Sequence, residues 1–242
     1  MNYRLIIVVA GLLAVRCHTF VHAGDWPMRG YDAGRGGCSP HALPTPLHLQ
    51  WQRQLPPSRP AWPSHQAKLQ FDVAPEPVVQ GNRIFVPSTV TDTVTAYDTR
   101  TGREHWRFYA DGPVRFAPVA HDGHVYFASD DGYLYCLHGD DGSLIWKFNG
   151  GPAERWIVGN HRLISSWPAR GGPVVHDGRV YFAASIWPFM GIFIHALDAQ
   201  TGRVTGERPY SKWKIALAVL AALIADTLIN PRDEQTSQQG DI

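Results

Sequence analysis

Residues 133–148 read YLYCLHGDDGSLIWKF, and two other stretches repeat the pattern: VTAYDTRTGREHWRF at 94–108 and FIHALDAQTGRVTGE at 193–207. Each copy has an alternating apolar stretch, an Asp- and Gly-rich turn, and the start of a second strand. Gly102 and Gly142 lie 40 residues apart, as do Trp106 and Trp146. The third copy keeps Gly202 but carries Gly206 where the tryptophan belongs. A second turn recurs at Gly81, Gly123 and Gly178, and there HDGHVYFAS (121–129) and HDGRVYFAA (176–184) are nearly identical.

The turns divide each unit into strands. Asp122-Gly123 and Asp177-Gly178 are two-residue hairpin signals, because glycine tolerates positive φ. APVAH and GPVVH precede them as first strands opened by proline; HVYFAS and RVYFAA follow as second strands; YLYCL and SLIWKF complete the unit. A period near 40 with four antiparallel strands per unit is the pattern of a propeller blade. The expected fold is therefore all-β: a partial β-propeller of about three four-stranded antiparallel blades over 73–207, preceded by an N-terminal extension over 24–72. Trp51, Trp106 and Trp146, with Gly102, Gly142 and Gly202, read as structural docking residues, each indole lying over the turn of an adjacent blade. Burying one indole removes about 150–250 Å² from water, or roughly 4–6 kcal/mol gross as an upper bound.

Composition agrees with a globular chain. It is 44% hydrophobic and 18% charged, and its 23 Gly, 19 Pro and nine Trp suit short strands with many turns. A formal net charge of +1 without a basic cluster excludes an electrostatic footprint for nucleic acid. Residues 1–23 read as a signal peptide: MNYR is basic, Leu5–Val15 is an apolar run too short for a comfortable bilayer span, and Ala23 suits cleavage before Gly24. An uncleaved anchor is the competing reading. The expected location is periplasmic or extracellular. Of the remaining cysteines, Cys136 aligns with Ala96 and Ala196 and reads as a small buried residue rather than half of a disulfide with Cys38.

The run Ala96-Tyr97-Asp98-Thr99-Arg100-Thr101-Gly102 followed by Trp106 resembles the tryptophan-docking motif of the pyrroloquinoline quinone (PQQ)-type β-propeller repeats. Cys136, His138, Asp141-Gly142 and Trp146 form a looser copy, and Ala196–Gly202 begins a third. The opening Asp25-Trp26-Pro27-Met28-Arg29-Gly30 is similar to the start of exported members. The resemblance covers roughly 25–204. It implies either a quinoprotein dehydrogenase that holds PQQ and calcium at the propeller axis, or a non-catalytic, BamB-like binding scaffold. Fold alone does not choose between them.

The residues favour the scaffold. No adjacent cysteine pair, His-Glu-x-x-His, Gly-x-Ser-x-Gly or phosphate loop occurs. The aspartates fall mostly in turns, where they shape the backbone through side-chain hydrogen bonds. No catalytic, cofactor-binding or metal residues are assigned, and no cofactor is expected; PQQ and calcium belong to the alternative reading, a fragment of a quinoprotein dehydrogenase oxidising alcohols or sugars. The expected partner is a protein or envelope component. Gly123 to Gly178 spans 55 residues against 42 for Gly81 to Gly123, and this surplus, with a second around Trp187, supplies the candidate partner residues Arg155, Trp156, Trp167, Arg170, Trp187 and Phe189. Packing of these loops on each other is the competing reading.

After residue 207 the repeat stops. Residues 208–242 read as a non-propeller tail with an apolar helix over 215–229, which gives a third reading, a membrane-tethered interaction protein. The abrupt change near residue 204 suggests a gene-model or frameshift boundary and a truncated member of the family. LHLQWQRQL at 47–55 resembles a lone fourth strand with Trp51 in the docking place, so the expectation is an incomplete ring whose open blade edges invite self-association.

Overall fold

The computed structural model describes residues 24–205 apart from 44, 64 and 67–69 and 160. The expected leader over 1–23, Gly206 and the apolar run over 215–229 lie outside the described residues. Among the described residues thirteen strands form four antiparallel sheets. The first sheet is the meander β1 (Val78–Gln80), β2 (Arg83–Pro87), β3 (Thr93–Asp98) and β4 (Glu104–Tyr109). The second is β5 (Val119–His121), β6 (His124–Ala128), β7 (Tyr133–His138) and β8 (Leu144–Asn149). A two-stranded hairpin follows, β9 (Trp156–Gly159) with β10 (Arg162–Ser165). The third blade sheet is β11 (Val174–His176), β12 (Arg179–Ala184) and β13 (Phe193–Asp198). A 3-10 turn, Pro188–Met190, interrupts the loop between its last two strands.

Among the described residues the third sheet has three strands and an isolated bridge, Leu197 to Val204, in the register that pairs Tyr97 with Glu104 and Leu137 with Leu144; the rest of its expected fourth strand lies outside the described residues. Two details differ from the sequence expectation. The surplus between the second and third blades is not all loop, because Trp156–Ser165 folds back on itself as a hairpin. Residues 47–55 form no strand, since no neighbouring strand offers them a ladder, although Trp51 still reaches the first blade.

Alternation along β6 and β7 explains why their sequence is almost continuously apolar. Val125, Phe127, Tyr135 and Leu137 point into one core with Phe85, Val94 and Trp106 of the first blade. Tyr126, Ala128, Leu134 and Cys136 point the other way, into a core with Val180, Phe182 and Leu197 of the third. The middle sheet is therefore buried on both faces, which is how face-to-face sheets read in sequence. The register shifts at Ala96/Tyr97 and at Cys136/Leu137, so both complete blades carry the same irregularity beside their docking tryptophan.

The tryptophans join one blade to the next. Trp51 lies on Gly102 of the first blade and its Nε1 donates to Thr99 O at 2.8 Å. Trp106 of the first blade lies on Gly142 of the second and donates to Gly139 O at 2.9 Å. Trp146 of the second lies on Gly202 of the third and donates to Gln200 O at 3.0 Å. A Cβ on Gly142 would stand 2.6 Å from Trp106 Cδ2, so only glycine admits the ring. The Trp51 segment is held further by Arg53, whose guanidinium lies 4.5 Å from the Tyr97 ring centre and donates to Gly102 O at 2.9 Å.

The N-terminal extension crosses the first strands of all three blades. Trp26 exchanges backbone bonds with Val79 of β1 at 2.9 and 2.8 Å, Pro27 O accepts from Ala120 of β5 at 2.8 Å, and Arg35 Nη2 donates to Gly172 O just before β11 at 3.0 Å. Met28 is buried between the second and third sheets. The DWPMRG sequence thus acts as a crosspiece on the inner strands. Both cysteines among the described residues are free, Cys38 exposed and Cys136 buried.

Candidate functional site

In a meander, successive turns alternate between the two ends of the sheet. The docking turns β3–β4 and β7–β8 and the hairpin turns β1–β2, β5–β6 and β11–β12 share one end. The opposite end collects the β2–β3, β6–β7 and β12–β13 loops and the connections between blades. The two ends use their aspartates differently.

At the docking end the aspartates shape turns. Asp98 Oδ1 accepts from the Thr101 amide at 2.7 Å and the Thr101 hydroxyl at 2.8 Å, and these bonds hold its carboxyl below the usual carboxylate range. Asp198 with Thr201 and Asp141 with Ser143 do the same, with the same direction of shift. These carboxylates are occupied by local backbone work.

At the loop end a buried charge network replaces this pattern. Asp130, in the β6–β7 turn, is wholly buried and takes Arg115 Nε on Oδ2 at 2.6 Å, Arg170 Nε on Oδ1 at 2.8 Å and Arg170 Nη2 on Oδ2 at 2.9 Å. Arg115 Nη1 also pairs with Asp72 of the extension and donates to Arg59 O at 3.0 Å. Ala61 N donates to the same Asp72 oxygen at 2.9 Å. Charges this deeply buried persist only when paired and hydrogen-bonded. Beside them Asp131 accepts from the Tyr135 hydroxyl at 2.6 Å and from the Tyr133 and Asp111 amides at 2.9 and 3.1 Å. Burial outweighs these donors and pushes its carboxyl up to about 6.

The chain builds this node from backbone outward. Asp130 N donates to Pro113 O at 2.9 Å, Ser165 N to Asp130 O at 2.8 Å and Ala169 N to Ser129 O at 3.1 Å, so three connections are stitched around one turn. The β9–β10 hairpin is tied to the first blade by Arg162, which pairs with Asp92 and donates to Thr89 O at 3.3 Å. Aromatic rings cover the node. The Arg170 guanidinium lies 5.5 Å from the Trp62 ring centre, Trp62 meets Trp187 edge-on at 6.0 Å, and Trp187 stacks on Phe189 at 5.8 Å.

The six candidate partner residues fall into two groups here. Phe189 is 83% and Trp156 42% exposed, and Arg155 is exposed with them. Trp167 packs over Gly151 and donates to Met190 O at 3.3 Å; Trp187 is half-buried against Trp62; Arg170 belongs to the ion network. The structure gathers Arg170, Trp187 and Phe189 through Trp62, and places Arg155 and Trp156 on the separate hairpin. Sequence reasoning missed Arg115, Asp130, Asp72 and Trp62 as one group. A signal was present for the arginines: Arg115 and Arg170 both stand three residues before the proline that opens a blade's first strand, in RFAPV and RGGPV.

The described residues do not fit the ligand set of a calcium–quinone centre. No group of three or more His, Cys, Asp or Glu among them is placed to hold a metal ion, and both Asp130 oxygens are committed to arginines. Among the described residues no helix is long and apolar enough to cross a membrane.

Blade-like meanders linked by tryptophans docked on glycine turns define a β-propeller repeat protein. The chain belongs to the PQQ_2 family, described as outer membrane protein assembly factor BamB, whose model matches residues 48–230. It is 32% identical over 108 residues to outer membrane protein assembly factor BamB of Salmonella typhimurium, a match covering 45% of this chain and 24% of that protein. It is 29% identical over 134 residues to the dehydrogenase subunit of the quinone alcohol dehydrogenase of Gluconacetobacter polyoxogenes, covering 50% of this chain and 18% of that one. Its fold matches the quinohemoprotein alcohol dehydrogenase of Comamonas testosteroni with a TM-score of 0.56 at 23% identity, over 75% of this chain and 26% of that one. The matches span about a quarter or less of these relatives' length.

Proposed function

We propose that the chain is an exported, non-catalytic binding scaffold of the cell envelope, built as an arc of about three propeller blades. The single observation that carries this reading is the fate of the carboxylates at the loop end. Asp72 and Asp130 are paired with arginines, and Asp131 is held by Tyr135 and two amides, so none is placed to act as a free base or a cation ligand. Membership of the BamB family supports a protein partner in outer membrane assembly, met at the loop end where Phe189 and Trp156 are exposed. Neither PQQ nor calcium is required in this reading. The test is dye-linked oxidation of alcohols and sugars by the purified chain with added PQQ and calcium. No turnover above buffer is expected, and sustained turnover overturns the proposal.

The identity to a quinone alcohol dehydrogenase subunit favours a second reading, a segment of a larger quinoprotein dehydrogenase. Reading the surrounding genome in all frames separates the two. Further blades carrying an adjacent cysteine pair would decide for the enzyme.

A further inference from the structure

The outer face of the third blade is built like an interface. On the second blade Tyr126 pairs with Cys136 and Ala128 with Leu134 across β6 and β7, and all four are at most 2% exposed because the third blade covers them. One blade on, the same register pairs Tyr181 with Ala196 and Ala183 with Ile194 across β12 and β13. The residue types recur almost one for one, yet these four are only half-buried and belong to neither core. The first blade shows how this chain treats an end face. Thr93, Thr95 and Tyr97, on the face turned away from the second blade, are at most 5% exposed. A segment outside the repeat covers them. Trp51 takes the docking place on Gly102, the Arg53 guanidinium lies on the Tyr97 ring, and Leu55 and Pro56 line a groove with Thr93 and Thr95. Repeat arrays need such caps, because a terminal unit has no neighbour to bury its face.

We propose that residues 215–229 of this chain, which lie outside the described residues, cap the third blade by packing on Tyr181, Ala183, Ile194 and Ala196. Three observations select this occupant. First, the chain leaves the third blade beside that face: Val204 bridges to Leu197, and the Thr205 amide donates to Ala196 O at 2.9 Å. Residues 206–214 separate Thr205 from Ile215 and reach about 30 Å when extended, against about 10–15 Å across three strands. Second, the run IALAVLAALIADTLI is apolar except for Asp226 and Thr227, and its 15 residues are fewer than the roughly 20 that a bilayer span takes. As a helix it would rise about 22 Å, which matches the roughly 20 Å of a six-residue strand face. Third, an indole holds each described blade-to-blade contact, whereas the sequence carries Gly206 at the place from which the third blade would dock a further one. A tethered segment also meets the face at an effective concentration near millimolar, which a second copy in dilute solution does not reach. The cap is independent of the scaffold reading, because it concerns how the stack of blades ends and not what its loops bind.

The test places the photo-crosslinker p-benzoylphenylalanine at Tyr181 in the full chain and, in a second variant, at Arg179, an exposed position on the same alternating face. A third variant carries it at Phe189, 83% exposed at the loop end. Each is irradiated as an equal mixture of ordinary and 15N-labelled chains, with and without vesicles of phosphatidylethanolamine and phosphatidylglycerol, and mapped by mass spectrometry. The expected result is a crosslink from positions 181 and 179 to residues 215–229 of the same chain, unchanged by dilution or vesicles and absent from position 189. Crosslinks that join labelled to unlabelled chains assign the face to a second copy and overturn the proposal. Flotation with the vesicles and loss of the crosslink assign the run to the membrane and overturn it as well. So does the absence of any crosslink to 215–229. If the Tyr181 variant does not fold, the Arg179 variant gives the same reading from the exposed rim. Leu220→Asp combined with Ala222→Asp charges the run about 200° apart around a helix, so one carboxylate faces the blade in any orientation. That double variant is expected to lower the Tm by roughly 4–8 °C, and an unchanged Tm overturns the cap. None of these readouts depends on the oxidation assay, so failure of one is distinguishable from failure of the other.

Discussion

Two glycines with nearly the same backbone conformation isolate what the docked tryptophan contributes. Gly142 has φ 74° and Gly123 has φ 73°. A methyl group on Gly123 would meet nothing within 4 Å, whereas one on Gly142 would stand 2.6 Å from the Trp106 indole. Gly123→Ala therefore bears only the left-handed backbone penalty, about 1–2 kcal/mol. Gly142→Ala bears that penalty plus an overpacking cost of about 1–3 kcal/mol, because the clashing partner is a rigid, mostly buried ring fixed by its bond to Gly139 O. The expected loss is about 1–2 kcal/mol for the first variant and about 2–5 kcal/mol for the second. At ~2–4 °C per kcal/mol for a chain of this size, the difference is visible in thermal melts and in urea midpoints. Combining Gly142→Ala with Trp106→Ala removes the clash, so the double variant is expected to be more stable than the sum of the two singles. Equal losses for Gly123→Ala and Gly142→Ala, or strict additivity of the double variant, would refute the docking argument.

Asp131→Asn tests the raised carboxyl. A folded-state value of about 6 above an ordinary 3.8 means the native state prefers the protonated acid, so its contribution is complete below about pH 4 and is lost as pH rises through 6. Urea melts of wild type between pH 4 and 7 are expected to lose about 3 kcal/mol that the asparagine variant does not lose, at 1.36 kcal/mol per pKa unit; parallel pH profiles would refute the assignment. Arg170→Ala is expected to cost about 3–5 kcal/mol, because Asp130 keeps only Arg115, while Phe189→Ala at an 83% exposed position is expected to stay within about 0.5 kcal/mol. Similar melting temperatures for the two variants would contradict their separation into packed and exposed groups. Cys136 is expected to resist a thiol reagent in the native protein, since burial pushes its thiol up to about 12, while exposed Cys38 reacts; peptide mapping that finds both modified before unfolding would refute it.

The repeat was legible because its punctuation is chemically forced. A two-residue hairpin turn wants Asp-Gly, and a ring lying flat on a turn wants glycine beneath it, so Asp122-Gly123 and Trp106 over Gly142 can be read from spacing. The β9–β10 hairpin was missed for a different reason. Its alternation and its Gly159-Asn160 turn signal are present in RWIVGNHRLIS, but the segment belongs to no repeat unit and reads as surplus against a period of about 40. The charge network was less legible still. Asp130 and Asp131 sit in a turn exactly as polar in sequence as Asp140-Asp141, and only the neighbouring connections make the first pair buried and the second exposed. Asp72 meets Arg115 across 43 residues, a pairing that no local pattern announces.

The two ends of the sheets thus answer to different constraints. At the docking end one contact recurs, an indole from the preceding segment on each blade's turn glycine, so the stability of the stacked blades is a sum of similar neighbour terms and its sequence is periodic. At the loop end Arg115 and Arg170 come from equivalent repeat positions, yet they meet at one aspartate, Asp130, and Arg115 alone reaches on to Asp72 of the extension. The repeat supplies the scaffold for that meeting but not its partner. Departure from the repeat is therefore concentrated where the chain is free of blade-to-blade docking. That freedom, more than the exposed aromatics alone, is why the loop end is the place to look for recognition.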